Sequence, residues 1–353
     1  MKKHNFSAGP SILAPEVFQK ASEALLDFEG TGLSVIEISH RSPEFVRVIE
    51  RARALALEIA GLDDSYTTLF LQGGASMQFL MVPYNLLETK AAYIDTGTWA
   101  NKAEKEAALF GNAEVIASSK ADGYKYIPKN VTVPTDIDYL HITTNNTIYG
   151  TEYRSLPQTS VPLVADMSSD IFSRPLDYKQ FSLIYAGSQK NLGASGSTLV
   201  IVKKDLLGKV SRKLPSMMDY QLHIKNDSMF NTPSTFAVYV NLLVLEWIQA
   251  QGGLQALGKR NQAKADLLYG EIDRNPLVVG YANKEDRSLM NVVFNLTDES
   301  TKERFDALCK EANISGIKGH RSVGGYRASI YNALPLESVQ VLVDVLKEFE
   351  RTA

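Results

Sequence analysis

Residues 183–196 read LIYAGSQKNLGASG and carry Lys190 out of an apolar run into a bed of short or polar neighbours, Gly187, Ser188, Gln189, Asn191, Gly193 and Ala194. The run holds the backbone still and the small neighbours leave room for a ligand. Partial shielding from water disfavours an ammonium, so an amine placed there is able to attack a carbonyl carbon. Asp166 closes another apolar run, residues 161–165. A lysine and a carboxylate at two strand ends form the pair that pyridoxal phosphate needs. The lysine makes a Schiff base with the aldehyde, and the carboxylate keeps the pyridine nitrogen protonated so that the ring accepts electrons. An Asp and a Lys at strand ends are also ordinary capping residues, so the pair gains meaning only from what surrounds it.

The run 68–72 is followed by Gly73, Gly74, Ala75 and Ser76, and then by Met77, Leu80 and Met81 at helical spacing. A strand, a turn of small residues and a helix start leave backbone N–H groups and the positive end of the helix dipole facing an anion. Here that anion would be the cofactor's phosphate. The turn matches neither the GxGxxG fingerprint of dinucleotide sites nor the GxxxxGK[ST] loop of nucleoside triphosphate sites. A double glycine also suits a plain strand-to-helix turn. Trp99, one of two tryptophans, follows the run 91–95. Its ring suits stacking on a flat heteroaromatic group, and equally core packing.

These residues need a sheet beneath them. Between 67 and 203, seven apolar runs, 68–72, 92–95, 114–117, 139–143, 162–165, 182–185 and 197–202, alternate with polar or helical segments. Runs apolar on both faces and separated by helices predict an α/β fold with a mostly parallel seven-stranded sheet covered on both sides. Ligands in such sheets sit beyond the carboxyl ends of the strands, where Gly73, Trp99, Thr147, Asp166 and Lys190 all fall. Ahead of the sheet, Pro15 and Pro43 open helical stretches stopped by Gly30 and Gly61. Behind it, helices are expected over 235–251 and 254–273, split by Gly252 and Gly253. A strand near 290–295, a helix near 301–312, a strand near 327–331 and a helix over 335–350 then suit a smaller α+β C-terminal domain. The boundary is placed near residue 255, inside helix, giving a large domain over 15–255 and a small one over 256–353.

Composition narrows the function classes. The 353 residues are 44% hydrophobic and 22% charged with a net charge of -3 and no basic block, which argues against nucleic-acid or anionic-membrane binding. No run approaches the roughly 18 apolar residues of a membrane span, and the opening Met1-Lys2-Lys3 is not followed by an apolar signal segment. The single cysteine, Cys309, permits no internal disulfide. Its setting reads as the buried edge of an amphipathic helix, unlike the exposed, mobile thiol that desulfurase chemistry requires.

Seven segments then carry a resemblance: SAGPSIL, SVIEISHRSPEF, YIDTGTWANKA, DMSSDIFSRP, YAGSQKNLG, FNTPSTF and GHRSVGGYRASIYNA. In this order and at similar spacing they resemble the phosphoserine aminotransferases, a subgroup of the class V pyridoxal-phosphate enzymes, from about residue 5 to residue 350. FNTPSTF and the last block distinguish the subgroup from cysteine desulfurases and other class V relatives. The resemblance implies the type I fold of pyridoxal-phosphate transferases, with residues 1–14 packed on the small domain. It implies a cytoplasmic homodimer and no metal. The implied reaction transfers an amino group between L-glutamate and 3-phosphohydroxypyruvate, giving O-phospho-L-serine and 2-oxoglutarate for serine biosynthesis. A further implied substrate is 3-hydroxy-2-oxo-4-phosphooxybutanoate, of vitamin B6 synthesis.

Site roles follow from the same resemblance. Lys190 would bind the cofactor and move the proton between the substrate α-carbon and C4′, while Asp166 would pair with the pyridinium nitrogen. Trp99 would stack on the ring, Thr147 would lie beside it, and Ala75, Ser76 and Gln189 would bind the phosphate. Asn231 and Thr232 would reach that phosphate from the other subunit, making the dimer a requirement of the site. The substrates are at least dianionic and call for cations, and arginine's planar fork suits carboxylates and phosphates. Arg327 is assigned the α-carboxylate; His40 and Arg41 the distal phosphate or carboxylate, with His320 and Arg321 contributing from the partner subunit. Where some relatives have Gly-Arg, this chain has Ala75-Ser76, so one cationic contact to the substrate phosphate is absent.

Two other readings remain at this point. A related class V transaminase would act on an unphosphorylated amino acid such as serine or alanine with glyoxylate; two His-Arg pairs favour phosphate instead. A non-catalytic scaffold would be expected to have lost Lys190, Asp166 or Arg327, and all three are present.

Overall fold

In the computed structural model, which describes residues 3–353, a two-residue strand β1 (His4–Asn5) precedes the helices α1 (Pro15–Leu26) and α2 (Pro43–Ala60). Proline opens both helices, where its missing N–H leaves no bond unmade. Gly61 ends α2 in the left-handed conformation at φ 66°, whereas α1 stops at Leu26, short of Gly30, because Asp27 turns to extended backbone.

The alternating region follows: β2 (Tyr66–Leu71), α3 (Gly74–Leu86), β3 (Lys90–Asp95), α4 (Thr98–Ala107), β4 (Asn112–Ser118), β5 (Tyr139–Thr143), the hairpin β6 (Asn145–Asn146) and β7 (Thr151–Glu152), β8 (Leu163–Asp166), β9 (Leu183–Gly187), β10 (Thr198–Lys203) and α5 (Tyr220–Lys225). Seven of these strands form one sheet in the order β2-β10-β9-β8-β5-β3-β4, matching the seven apolar runs. The pairs among β9, β8, β5, β3 and β4 are parallel, and β10 runs antiparallel to both its neighbours. The edge strand β4 keeps exposed residues, so it is not apolar on both faces like the inner strands.

Strand alternation separates two cores. Ile94, Ile142, Ala165, Ile184 and Ile201 face α1, α2 and the next helix, α6 (Thr235–Ala250). Tyr93, Val164, Leu183, Tyr185 and Val200 face the side of α3, α4 and α5. The chain continues through α7 (Gly253–Arg274), β11 (Val278–Gly280), β12 (Asn291–Leu296), α8 (Lys302–Glu311), β13 (Ile314–Ser315), β14 (Tyr326–Ser329) and α9 (Leu336–Arg351). The antiparallel sheet β11-β12-β14 builds a third core with α7, α8 and α9. Helix α7 joins the cores: Leu257 belongs to the first, and Ala265, Leu268 and Ile272 to the third. Residue 255 falls in its first turns. The chain start reaches the third core as well, since β1 pairs with β13 in parallel and Phe6 is fully buried there.

Candidate active site

Strand register gathers the site at one edge of the large sheet. Thr198, at the start of β10, pairs with Leu71 at the end of β2 and with Gly187 at the end of β9. The Gly73 turn and the Lys190 turn therefore leave the same edge two strand spacings apart, about 10 Å. Asp166, at the end of β8, pairs with Thr143 of β5 and Tyr185 of β9.

Lys190 is partly buried, and its Nζ donates a hydrogen bond of 2.9 Å to Thr147 Oγ1. Burial lowers its pKa to about 8; Asp166 and Asp170 draw it back up, while Arg327 pushes it further down. Asp166 is 4% exposed, and its Oδ1 accepts from Ser168 N at 2.9 Å and Ser168 Oγ at 2.6 Å. Burial raises its pKa, opposed by Lys190 and by those hydrogen bonds. No donor among the described residues is bonded to its Oδ2, which leaves that oxygen for a cationic N–H.

Arg327 lies on β14, with its backbone N–H bonded to Ile317 O. Its Nη1 reaches the Thr147 carbonyl at 3.5 Å, and its Nε is buried without a partner. Burial lowers its pKa, and no carboxylate among the described residues forms an ion pair with it. A half-covered guanidinium in that state is a receptor for an incoming carboxylate.

The phosphate turn is shaped by Gly73, at φ 93°, where an added Cβ would lie 2.6 Å from Met77 Cβ. The first intrahelical bond of α3 runs from Met77 N to Gly73 O, so the N–H groups of Gly74, Ala75 and Ser76 remain for an anion. Trp99 sits in the first turn of α4 with its Nε1 buried and unpartnered. Gly97 permits this turn, since a Cβ there would meet Asn146 Oδ1 at 2.8 Å. Trp99 packs beside Ile148 and Tyr149, the residues that follow Thr147. A partly buried amine, a buried carboxylate with one open oxygen, a flat indole and three open N–H groups together fit pyridoxal phosphate.

The remaining predicted residues are distributed unevenly. Gln189 precedes Lys190, and its carbonyl accepts from Ser11 N at 2.9 Å. Asn231 Nδ2 donates to Gln72 Oε1 at 2.8 Å, and Gln72 Nε2 donates to Thr232 O at 3.3 Å, so within one chain both lie beside the Gly73 turn. His320 bonds Ser322 Oγ through Nδ1 at 2.7 Å. Its pKa is lowered by burial and by the cations Arg327, Arg321 and Lys102, so in one chain this loop stands near Arg327. Arg321 is exposed. His40, whose Nε2 is buried without a partner, and the exposed Arg41 make no hydrogen bond or ion pair with Lys190 or Arg327.

Other groups went unread in the sequence. Ser11 Oγ donates to Lys190 O at 2.5 Å, tying the chain start to the reacting turn, a long-range contact no local pattern signals. Asp170 is 1% exposed, with its carboxyl raised by burial and by Glu152, and Thr144 Oγ1 donates to it at 2.6 Å. The second acid of DMSSDIF, four residues after Asp166, was its available signal. Cys309 is 4% exposed and burial pushes its thiol up to about 12, in keeping with an inert core residue. No described helix is long and apolar enough to cross a membrane.

The sequence profile of the family Aminotransferase class-V matches residues 3–342, and the chain belongs to that family. Within it, the relatives are consistent. Phosphoserine aminotransferase of Flavobacterium johnsoniae is 63% identical, with 99% of each chain covered, and that of Bacteroides thetaiotaomicron is 57% identical over the same shares. Phosphoserine aminotransferase from Bacillus circulans subsp. alkalophilus superimposes with a TM-score of 0.96 at 44% identity over 99% of both chains. The PLP-bound phosphoserine aminotransferase from Trichomonas vaginalis gives 0.93 at 34% identity, over 98% of this chain and 100% of that one.

Proposed function

We propose that this chain is a phosphoserine aminotransferase, using pyridoxal phosphate to exchange an amino group reversibly between L-glutamate and 3-phosphohydroxypyruvate, with O-phospho-L-serine and 2-oxoglutarate as products. The observation that carries this reading is the line Lys190 Nζ, Thr147, Arg327 Nη1: an amine of lowered pKa and an unpaired guanidinium linked through one residue. An α-amino or α-oxo acid with its carboxylate on Arg327 presents its α-carbon toward Lys190.

When bound, the cofactor supplies the electron sink that makes the α-proton removable. The chain does the rest. Lys190, whose amine is lowered to about 8, would hold the cofactor and would carry the proton to and from the substrate α-carbon. Asp166 would keep the ring nitrogen protonated through its open oxygen, and Ser168 orients that carboxylate. The N–H groups of Gly74, Ala75 and Ser76 would bind the phosphate, with Gln189 contributing from the Lys190 turn. Trp99 would cover the ring and exclude water from one face.

The substrate's distal phosphate or carboxylate goes to His40 and Arg41, with His320 and Arg321 contributed by a second copy. Asn231 and Thr232 likewise reach the second copy's cofactor phosphate, so the working form is a homodimer, placed in the cytoplasm. The chain divides into a large cofactor-binding domain, residues 15–255, and a small domain, 256–353; of the expected segment 1–14, residues 1 and 2 lie outside the described residues, residues 4–6 pack on the small domain, and Leu13 and Ala14 pack in the first core.

Steady-state turnover with 3-phosphohydroxypyruvate against its unphosphorylated analogue tests the substrate, and inorganic phosphate should compete. Borohydride reduction of the holoprotein followed by peptide mapping should mark Lys190. Lys190→Ala should lower turnover by about 10⁴-fold or more, the upper range for losing a positioned proton carrier. Rapid transamination by that variant would refute the role.

A further inference from the structure

Three buried asparagines meet where the elements carrying Asp166, Lys190 and Arg327 converge. Asn191, beside Lys190 and 4% exposed, donates through Nδ2 to the carbonyls of Ser169 at 3.5 Å and Ile171 at 3.3 Å, in the turn that follows Asp166. Its Oδ1 accepts the backbone N–H of Asn332 at 3.1 Å. Asn332, beyond Arg327 in the chain and 2% exposed, donates through Nδ2 to Phe172 O at 2.9 Å. Its Oδ1 accepts from Asn261 Nδ2 at 2.8 Å, and Asn261, fully buried on α7, also donates to Ser173 O at 2.7 Å. One helical turn further along α7, the buried Lys264 Nζ donates to the carbonyls of Ile330, Tyr331 and Leu334 at 2.8, 2.6 and 3.2 Å.

The turns after Asp166, around Lys190 and after Arg327 are thus pinned to one buried polar node. Such a network is rigid because each bond given up inside the protein leaves a desolvated group unpaired. The first and third cores are also joined elsewhere, by Asn145 Nδ2 to Asn291 Oδ1 at 2.7 Å and Leu289 N to Glu152 Oε2 at 2.7 Å. The node is therefore not the only fastening between them. What it adds is the placement of the segment that follows Arg327.

We propose that Asn332 is a positioning residue for the transamination: with Asn191 and Asn261 it locks the segment after Arg327 to the Lys190 turn, and so sets where the substrate carboxylate stands relative to the reacting amine. The inference rests on the functional reading above, through the role of Arg327.

A double-mutant cycle on the holoenzyme tests it. Asn332→Ala should lower kcat/KM for glutamate and for 2-oxoglutarate together by about tenfold to a hundredfold, the effect of misplacing a substrate by about 1 Å. In an Arg327→Ala background the same substitution should add less than about twofold, because residues acting through one another are non-additive. Asn275→Ala is the control for general destabilisation, since its amide bonds Leu346 O far along α9; it should lower the unfolding midpoint and leave kcat/KM unchanged. An undiminished Asn332→Ala effect in the Arg327→Ala background, or no effect in the parent, overturns the proposal. Should Asn332→Ala not fold, Asn332→Ser goes through the same cycle under the same criteria. The parent's half-reaction with glutamate is recorded alongside. Its absence would sink the functional reading, whereas a normal parent with additive variants sinks only the positioning role.

Discussion

Lys190 Nζ and Thr147 Oγ1 stand 2.9 Å apart, and the bond ties the reacting amine to the residue whose carbonyl meets Arg327. A hydroxyl accepting from an amine favours its charged form. Thr147→Val removes that support and should take the Lys190 pKa below its value of about 8. Acylation of the cofactor-free protein at Lys190, followed against pH, should show its midpoint lowered by about one pH unit.

Lys190 also links stability to pH. Its folded pKa of about 8 lies below the 10.5 of an ordinary lysine, so between those values the unfolded chain binds more protons than the folded one. The penalty of burying the charge is full below about pH 8 and fades as pH rises to 10.5. Urea unfolding of the cofactor-free protein at pH 8 and pH 10, compared with Lys190→Met, should show this extra gain with pH in the parent alone.

Asp166 works in the opposite sense. Burial raises its folded pKa, so the cost of its buried charge is present above that pKa and vanishes as pH falls below the ordinary carboxylate value. Asp166→Asn removes the cost at pH 7 and should raise the thermal midpoint of the cofactor-free protein by about 1–3 °C. Turnover of the loaded variant should fall by about a hundredfold or more, since an amide does not hold the ring nitrogen's proton. Calorimetry and a turnover assay check the two halves separately.

Arg327 is tested by symmetry. Both substrates have an α-carboxylate, so Arg327→Ala should weaken both half-reactions by about 1.5–3 kcal/mol, the worth of charge-assisted hydrogen bonds. Single-turnover measurements with glutamate and with 3-phosphohydroxypyruvate should give matching losses. A loss confined to one substrate would mean that the arginine reads something other than the shared group. Arg327→Lys should recover part of the loss, because a point charge lacks the bidentate fork.

Much of this protein was legible along the chain because its signals are local. The seven apolar runs forecast the seven strands of the large sheet; for the six strands other than the edge strand β4 the reason is burial on both faces, which demands apolar residues throughout. Small residues after β2 and β9 announced turns with room for a ligand, and Gly73 was needed because Met77 occupies the space of any side chain there. The motif blocks around Lys190, Asp166 and Arg327 identified the family from order and spacing. Tertiary structure alone decided which groups meet. Thr147 between Lys190 and Arg327, Ser11 on the Lys190 turn, and the node of Asn191, Asn261 and Asn332 all pair residues distant in sequence. Periodicity reports which face of an element is buried but says nothing about what it is buried against. The lowered amine of Lys190 is of the same kind: its pKa is set by desolvation and by charges on other strands, which exist only once the chain has folded.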